Sequence, residues 1–294
     1  MFERFYPGMS WAPYQAGWPL AQHSRFVQAG GVEWHVQVLG RGPCMLLLHG
    51  VGSGGFSWRD MLPTLAQHYT VIAPDLPGHA FTSRAGPATQ SLAGMSASLS
   101  ALMQAIHLKP QVLVGHSAGA AIAAHLVLHD VDLAGVPLVG LNPAWLPLPG
   151  PAAWIFGPAA QMAAVNPLSA WACAKLAARP GTVAQLIRNT GSTLDATGLD
   201  LYTQVLSHSG HVHGVLTMMA QWRLSALSQM LPRIRNPVFM DIGALDQAVP
   251  PQLADAACRH LPQARMRLRE GLGHLAHEED PQGTVQQILR WCTA

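Results

Sequence analysis

The stretch from Val112 to Ala120, V-L-V-G-H-S-A-G-A, constrains this chain more than any other. A short apolar, largely β-branched run passes directly into Gly115-His116-Ser117-Ala118-Gly119 and then into the alanine-rich A-A-I-A-A-H-L-V-L, which reads as strand, sharp turn and helix. A serine at such a turn sits in a strained backbone conformation with its hydroxyl held clear of the sheet. The flanking glycines are required because side chains there would strike the neighbouring strand and helix. Ser117 is therefore the candidate nucleophile.

The 294 residues suit one large α/β domain or two small ones, and 49% apolar composition supplies a substantial core. Charged residues make up 11% where about 25% is usual, and the net charge is +2, so nothing points to nucleic acid. Cys44, Cys173, Cys258 and Cys292 are scattered without a C-x-x-C pair. That pattern fits free thiols in a reducing compartment, so a cytoplasmic location is expected. The first twenty residues lack the pattern of a signal peptide, and no apolar run reaches the roughly 18 residues of a membrane span.

Residues 1–24 read as an irregular arm. From Arg25 the chain alternates as two strand-like halves joined at Gly30-Gly31, a hairpin expected to form the antiparallel edge of a sheet. Short strands at Met45 to Leu48, Val71 to Ala73, Val112 onward and Leu138 to Leu141 alternate with helical segments, including one expected from Ser57 to about Gln67 and one from Ser91 to Ile106. Such alternation implies crossover connections and a mostly parallel, doubly wound sheet. Residues 142–221 break the rhythm. They are rich in Pro and Trp and then helical, with Val183, Leu186, Ile187 and Thr190 at helical spacing, so they are expected to form an inserted helical lid. The core then comprises 25–141 and 222–294, resuming with a strand at Val238, a helix from about Gln252, a strand near Met266 and a last helix from about Gln282.

A nucleophilic serine needs a base, and the base needs an acid to orient it; on a sheet of this kind the chain order is Ser, Asp or Glu, His. Asp246 follows the strand at Val238 and lies at the same edge of the sheet as Ser117. Asp241 is the rival, but its side chain belongs to the strand itself. Among 15 histidines, His274 follows the final strand through a glycine turn and is the expected base, while His49, His79, His116 and His277 read as structural. The oxyanion hole would use the backbone N–H groups of Val51 and Ala118, with Gly52, Gly54 and Gly55 letting the early loop approach closely. There is no G-K-[ST] motif and no dinucleotide fingerprint.

Together H-G-V-G-S-G-G-F-S-W, D-L-P-G-H-A-F-T, G-H-S-A-G-A and G-L-G-H-L-A-H-E-E-D-P resemble the α/β-hydrolase superfamily from about residue 24 to the end. Within it, R-N-T-G-S-T-L-D-A-T-G-L-D-L-Y and G-H-V-H-G-V-L-T-M-M-A-Q-W in the insertion are similar to the magnesium-chelatase accessory proteins of bacteriochlorophyll biosynthesis. Ala80 departs from the glycine usual after P-G-H. The resemblance implies two readings. One is a serine hydrolase acting on an ester or related acyl group of a lipophilic substrate, such as a tetrapyrrole. The other is a non-catalytic porphyrin-binding protein that meets magnesium-chelatase subunits. A haloalkane dehalogenase is disfavoured, since its nucleophile would be Asp.

No metal or cofactor is expected; His208, His211 and His213 read as a flexible polar loop of the lid. Leu133 to Ala174 contains no Asp, Glu, Lys, Arg or His. Trp145, Trp154, Phe156 and Met162 from that segment, with Met218, Met219 and Trp222, are the expected walls of an apolar pocket. Its many prolines exclude a spanning helix, so the segment is expected to be buried against a lipid headgroup layer or a flat aromatic ligand, or else simply packed as lid helices onto the core.

Overall fold

The computed structural model describes residues 8–84, 86–148, 158–166, 168–261 and 263–293. Eight strands form one sheet in the order β1-β2-β4-β3-β5-β6-β7-β8. Strands β1 (Ser24–Ala29) and β2 (Val32–Leu39) make the expected hairpin; Gly30 and Gly31 both take positive φ, 58° and 74°, which a tight two-residue turn between twisted strands requires. β2 pairs antiparallel with β4 (Thr70–Pro74). All later pairings, among β3 (Cys44–Leu48), β4, β5 (Pro110–His116), β6 (Leu138–Leu141), β7 (Val238–Gly243) and β8 (Arg265–Arg269), are parallel. β3, β6 and β7 are buried at every residue, which is why β3 and β6 read as apolar runs rather than as alternation and β7 is interrupted only by Asp241.

Helices cover both faces. Along β3 the side chains alternate, so Leu46 and Leu48 join α2 (Leu92–Ala105), α3 (Ala118–His129) and α10 (Pro251–His260), while Met45 and Leu47 pack with α1 (Leu62–Leu65) and α12 (Pro281–Thr293). The lid contributes α4 (Pro158–Val165), α5 (Ser169–Ala177), α6 (Thr182–Arg188), α7 (Ala196–Leu206) and α8 (Ser209–Gln221). The short helices α9 (Ser225–Met230) and α11 (Ala276–Glu279) complete the set. Among the described residues no helix is long and apolar enough to cross a membrane.

Two local expectations are corrected. No continuous helix runs from Ser57 to Gln67: a 3₁₀ turn, Gly55–Trp58, is followed by α1, with Pro63 in its first turn. The stretch around His208 to His213 is not a loop, because His208 caps α8 through Nδ1, which accepts the Gly210 N–H at 3.2 Å. Residues 8–23 of the amino-terminal arm are built of turns and packed down. Trp18 is buried edge-on against Phe81 and Phe56, and Met9 and Trp18 share a cluster with Val183, Ile187 and Leu201 of the lid.

The approach of α3 to the sheet sets where Ser117 sits. A Cβ on Gly119 would collide with the Leu48 and His49 carbonyl oxygens, and one on Gly115 with the Ala120 backbone. These neighbours are main chain and cannot turn aside. Gly119→Ala should therefore destabilise the protein by about 3 kcal/mol in urea unfolding, the upper end of the usual cost of overpacking, because the neighbours are main chain; wild-type stability in this variant would contradict the close approach.

Candidate active site

Ser117 lies between β5 and α3 with φ 51° and ψ −116°, a conformation that L-residues other than glycine seldom adopt. It is held there by the main chain: its N–H donates to Leu141 O at 3.0 Å, and its C=O accepts from Ala120 N and Ala144 N, each at 3.1 Å. The strand-turn-helix read from the sequence is therefore a strained elbow at the carboxyl edge of the sheet.

Asp246 follows β7 and is saturated as an acceptor. Oδ1 accepts the N–H groups of Ala248 and Val249, both at 2.8 Å, and Oδ2 accepts His274 Nδ1–H and Asn142 Nδ2–H, both at 2.7 Å. With the Nδ1 proton engaged, the neutral imidazole has its free lone pair on Nε2, the tautomer a general base requires. Asp241 is committed elsewhere. It accepts from Arg269 Nη1 at 3.1 Å deep in the sheet edge, and Arg269 also donates to Thr284 Oγ1 at 2.8 Å.

His274 and Ser117 line one cavity of about 800 Å³, and Val51 and Ala118 line it with them. Ala118 opens α3, so its N–H has no acceptor within the helix. The glycine that lets the early loop reach Ser117 is Gly50: a Cβ there would lie 2.8 Å from His116 Nδ1 and 3.2 Å from Ser117 Cβ. Gly52 serves by its positive φ, while Gly54 and Gly55 pack beside Phe56 and the Asp75 carboxylate. His116 donates Nε2–H to the His274 carbonyl at 2.9 Å, which fixes the His274 backbone from behind; burial and the neighbouring His277 and His274 hold the His116 pKa well below the usual imidazole range.

Two supports lie outside the Ser-Asp-His pattern, one of them in the R-N-T-G-S stretch. Asn142, directly after β6, steadies Asp246. The second is the lid segment at Thr190, whose carbonyl accepts both Gln247 N at 3.1 Å and His274 N at 3.3 Å. Gly191 presses on the Leu245 carbonyl and on Gly273, and Ser192 Oγ accepts Leu275 N–H at 2.8 Å. The insertion thus clasps the Asp246 loop and the His274 loop together. A buried chain reinforces it. Arg59 Nη1 meets Glu278 Oε2 at 2.7 Å, and the Tyr202 hydroxyl on α7 lies 2.8 Å from Glu278 Oε1 and 3.0 Å from Ser53 Oγ in the early loop. Burial pushes the Glu278 carboxyl up to about 7 against the pull of Arg59.

The expected pocket walls divide. Met219 and Trp222 line the cavity. Trp145 does not: its indole N–H donates to Ala120 O at 2.8 Å, and the ring is core packing beneath α3. Met218 is also core, since neighbouring helix residues point about 100° apart and only one of the pair reaches the cavity. Met162 is 73% exposed on the outside of α4. Trp154 and Phe156 lie outside the described residues. The remaining apolar wall comes from Leu186, Ile187 and Leu206 of α6 and α7 and from Val215 of α8. The helical spacing of Leu186, Ile187 and Thr190 carried that signal.

Among the described residues no three His, Cys, Asp or Glu side chains are grouped to hold a metal ion. His211 is a structural bridge between lid and core. Its Nδ1 accepts Ala80 N–H at 2.9 Å, so Nε2 carries the proton, 3.3 Å from Gly52 O.

A family model described as alpha/beta hydrolase fold matches residues 43–281. The chain is 39% identical, over 278 residues covering 94% of it and 96% of the relative, to the magnesium-chelatase 30 kDa subunit of Rhodobacter capsulatus. It is 28% identical over 272 residues, 84% of this chain and 98% of the relative, to the pimeloyl-[acyl-carrier protein] methyl ester esterase of Aromatoleum aromaticum. A solved thermophilic esterase from Thermogutta terrifontis shares the fold with a TM-score of 0.72 at 22% identity, covering 92% of this chain and 98% of that one. The strained elbow, the eight-stranded sheet and these matches together mean that the chain belongs to the alpha/beta hydrolase fold family.

Proposed function

We propose that the protein is a serine hydrolase acting on an ester or related acyl group of a lipophilic substrate. The observation that carries this reading is the 2.7 Å bond between His274 Nδ1 and a fully hydrogen-bonded Asp246, at the rim of the cavity that Ser117 also lines. His274 Nε2 takes the hydroxyl proton as Ser117 Oγ attacks the acyl carbon, and Asp246 stabilises the imidazolium that forms. The N–H groups of Val51 and Ala118 receive the developing oxyanion. His274 then protonates the leaving alcohol, and a water activated by the same imidazole releases the acid. The preponderance of apolar side chains in the cavity wall favours a bulky hydrocarbon body over a sugar or nucleotide.

The name of the Rhodobacter capsulatus relative favours a tetrapyrrole substrate and contact with magnesium-chelatase subunits. It equally favours the second reading, in which the cavity holds a porphyrin without cleaving it. Ser117→Ala should lower turnover of short p-nitrophenyl esters by about 10⁴-fold or more, the scale of losing a triad member. Undiminished turnover would refute Ser117. Absent turnover in the wild type, with saturable quenching of tryptophan fluorescence by a magnesium porphyrin, would favour the binding reading.

The lid also supports a peripheral membrane contact. No acidic residue occurs between Asp132 and Asp195, a span that holds Lys175, Arg179 and Arg188, all exposed. Met162 on α4, Leu168 just before α5 and Trp171 in the first turn of α5 stand 73%, 68% and 56% exposed. Exposed apolar side chains among cations suit an anionic lipid surface. The protein should float with vesicles containing an anionic lipid and not with neutral ones, and Trp171→Asp should reduce flotation; equal recovery from both vesicle types would contradict the contact.

A further inference from the structure

A cavity shaped only for hydrocarbon gains nothing from a formal charge in its wall, because covering an unpaired charge with an apolar ligand is costly. The cavity before Ser117 nevertheless contains one. Among the described residues its wall includes no Asp, Glu or Lys, and apart from the two histidines at the Ser117 end its charged side chain is Arg223. The placement follows from the end of α8: Trp222 leaves the helix with extended backbone, φ −76° and ψ 115°, so that Trp222 and Arg223, consecutive in sequence, both reach the cavity.

The Arg223 guanidinium is not committed to a partner of opposite charge. Its Nη1 donates to the Trp222 carbonyl at 3.0 Å, and among the described residues no carboxylate lies within ion-pair distance of it. A guanidinium offers five N–H donors in a planar fork that matches a carboxylate. Arg223 is exposed, so it stays hydrated while the cavity is empty, and Trp222 beside it presents a buried aromatic surface.

We propose that Arg223 is the carboxylate-recognising residue of this cavity, and that its ligand is a bulky apolar body bearing a free carboxylate in addition to any acyl group presented to Ser117. The assignment rests on the reading of this cavity as the substrate site and narrows the substrate to the monoester of an apolar polycarboxylic acid. It disfavours neutral triglyceride-like esters and cationic amphiphiles, which leave the guanidinium unpaired or repelled.

The test separates binding from cleavage. Full-length Ser117→Ala protein, which cannot turn over an ester, is titrated at pH 8 with 1-pyrenebutyrate and with its methyl ester, following pyrene fluorescence anisotropy. The acid should bind about tenfold more tightly than the ester, the scale of a hydrogen bond to a charged group. Adding Arg223→Gln should abolish that preference while leaving the affinity for the ester within about twofold, and Arg223→Lys should keep part of it, since an ammonium retains the charge without the fork. Equal affinity of the parent for the two probes, a preference that survives Arg223→Gln, or no saturable binding of either probe would overturn the assignment. Missing esterase turnover in the wild type with the preference intact would instead refute the hydrolase reading and leave Arg223 in place.

Discussion

One carboxylate organises the site. Asp246 accepts four hydrogen bonds, two from its own loop, one from Asn142 after β6 and one from His274 after β8. Each donor belongs to a segment leaving the same edge of the sheet, so the carboxylate ties the ends of three parallel strands into one surface. A buried acceptor with all its lone pairs engaged has little freedom to turn, and the imidazole that it holds inherits that rigidity. Removing any one donor leaves a buried oxygen short of a partner, at a cost of about 1–3 kcal/mol. Preorganisation of this kind is what lets a weak nucleophile such as a serine hydroxyl be activated at all.

The lid is part of that scaffold and not merely a cover. Thr190 gives its carbonyl to both the Asp246 loop and the His274 loop, and the backbones run so close that a Cβ on Gly191 would strike the Leu245 carbonyl and one on Gly273 the Gly191 backbone. Through Tyr202 the same insertion reaches Glu278 and Ser53, and Arg59 binds Glu278 from the core side. The early loop, the base loop and the lid are therefore mechanically joined. The R-N-T-G-S segment, which set this sequence apart from hydrolases in general, is the joint itself.

Much of this was legible in the chain because it is local or ordered. The apolar run into G-H-S-A-G, the Gly30-Gly31 turn and the order Ser117, Asp246, His274 each depend on neighbours in sequence or on the edge at which a strand ends. What was not legible depends on direction in three dimensions. Trp145 and Met218 have the composition of pocket walls but face the core, one drawn there by a carbonyl for its indole N–H and the other by its phase on the helix. The His208 to His213 stretch looked like a polar loop because its histidines are polar; in place, one caps a helix and another is buried between two backbone groups. Asn142 and Thr190 act through a side-chain amide and a main-chain carbonyl; the helical spacing that includes Thr190 does not say where its carbonyl points, and nothing in the spacing marks Asn142.

The central claim is that Ser117 is an activated nucleophile, with His274 as its base and Asp246 as the group that orients it. Reaction of the pure protein with a fluorophosphonate, followed by intact mass and peptide mapping, tests this most directly because it requires no knowledge of the natural substrate. The account predicts a single adduct on Ser117, formed at least about 10²-fold more slowly in His274→Ala and in Asp246→Asn, consistent with the loss of base and tautomer control. No adduct under conditions that label a control esterase, or an adduct whose rate is indifferent to His274→Ala, would contradict it.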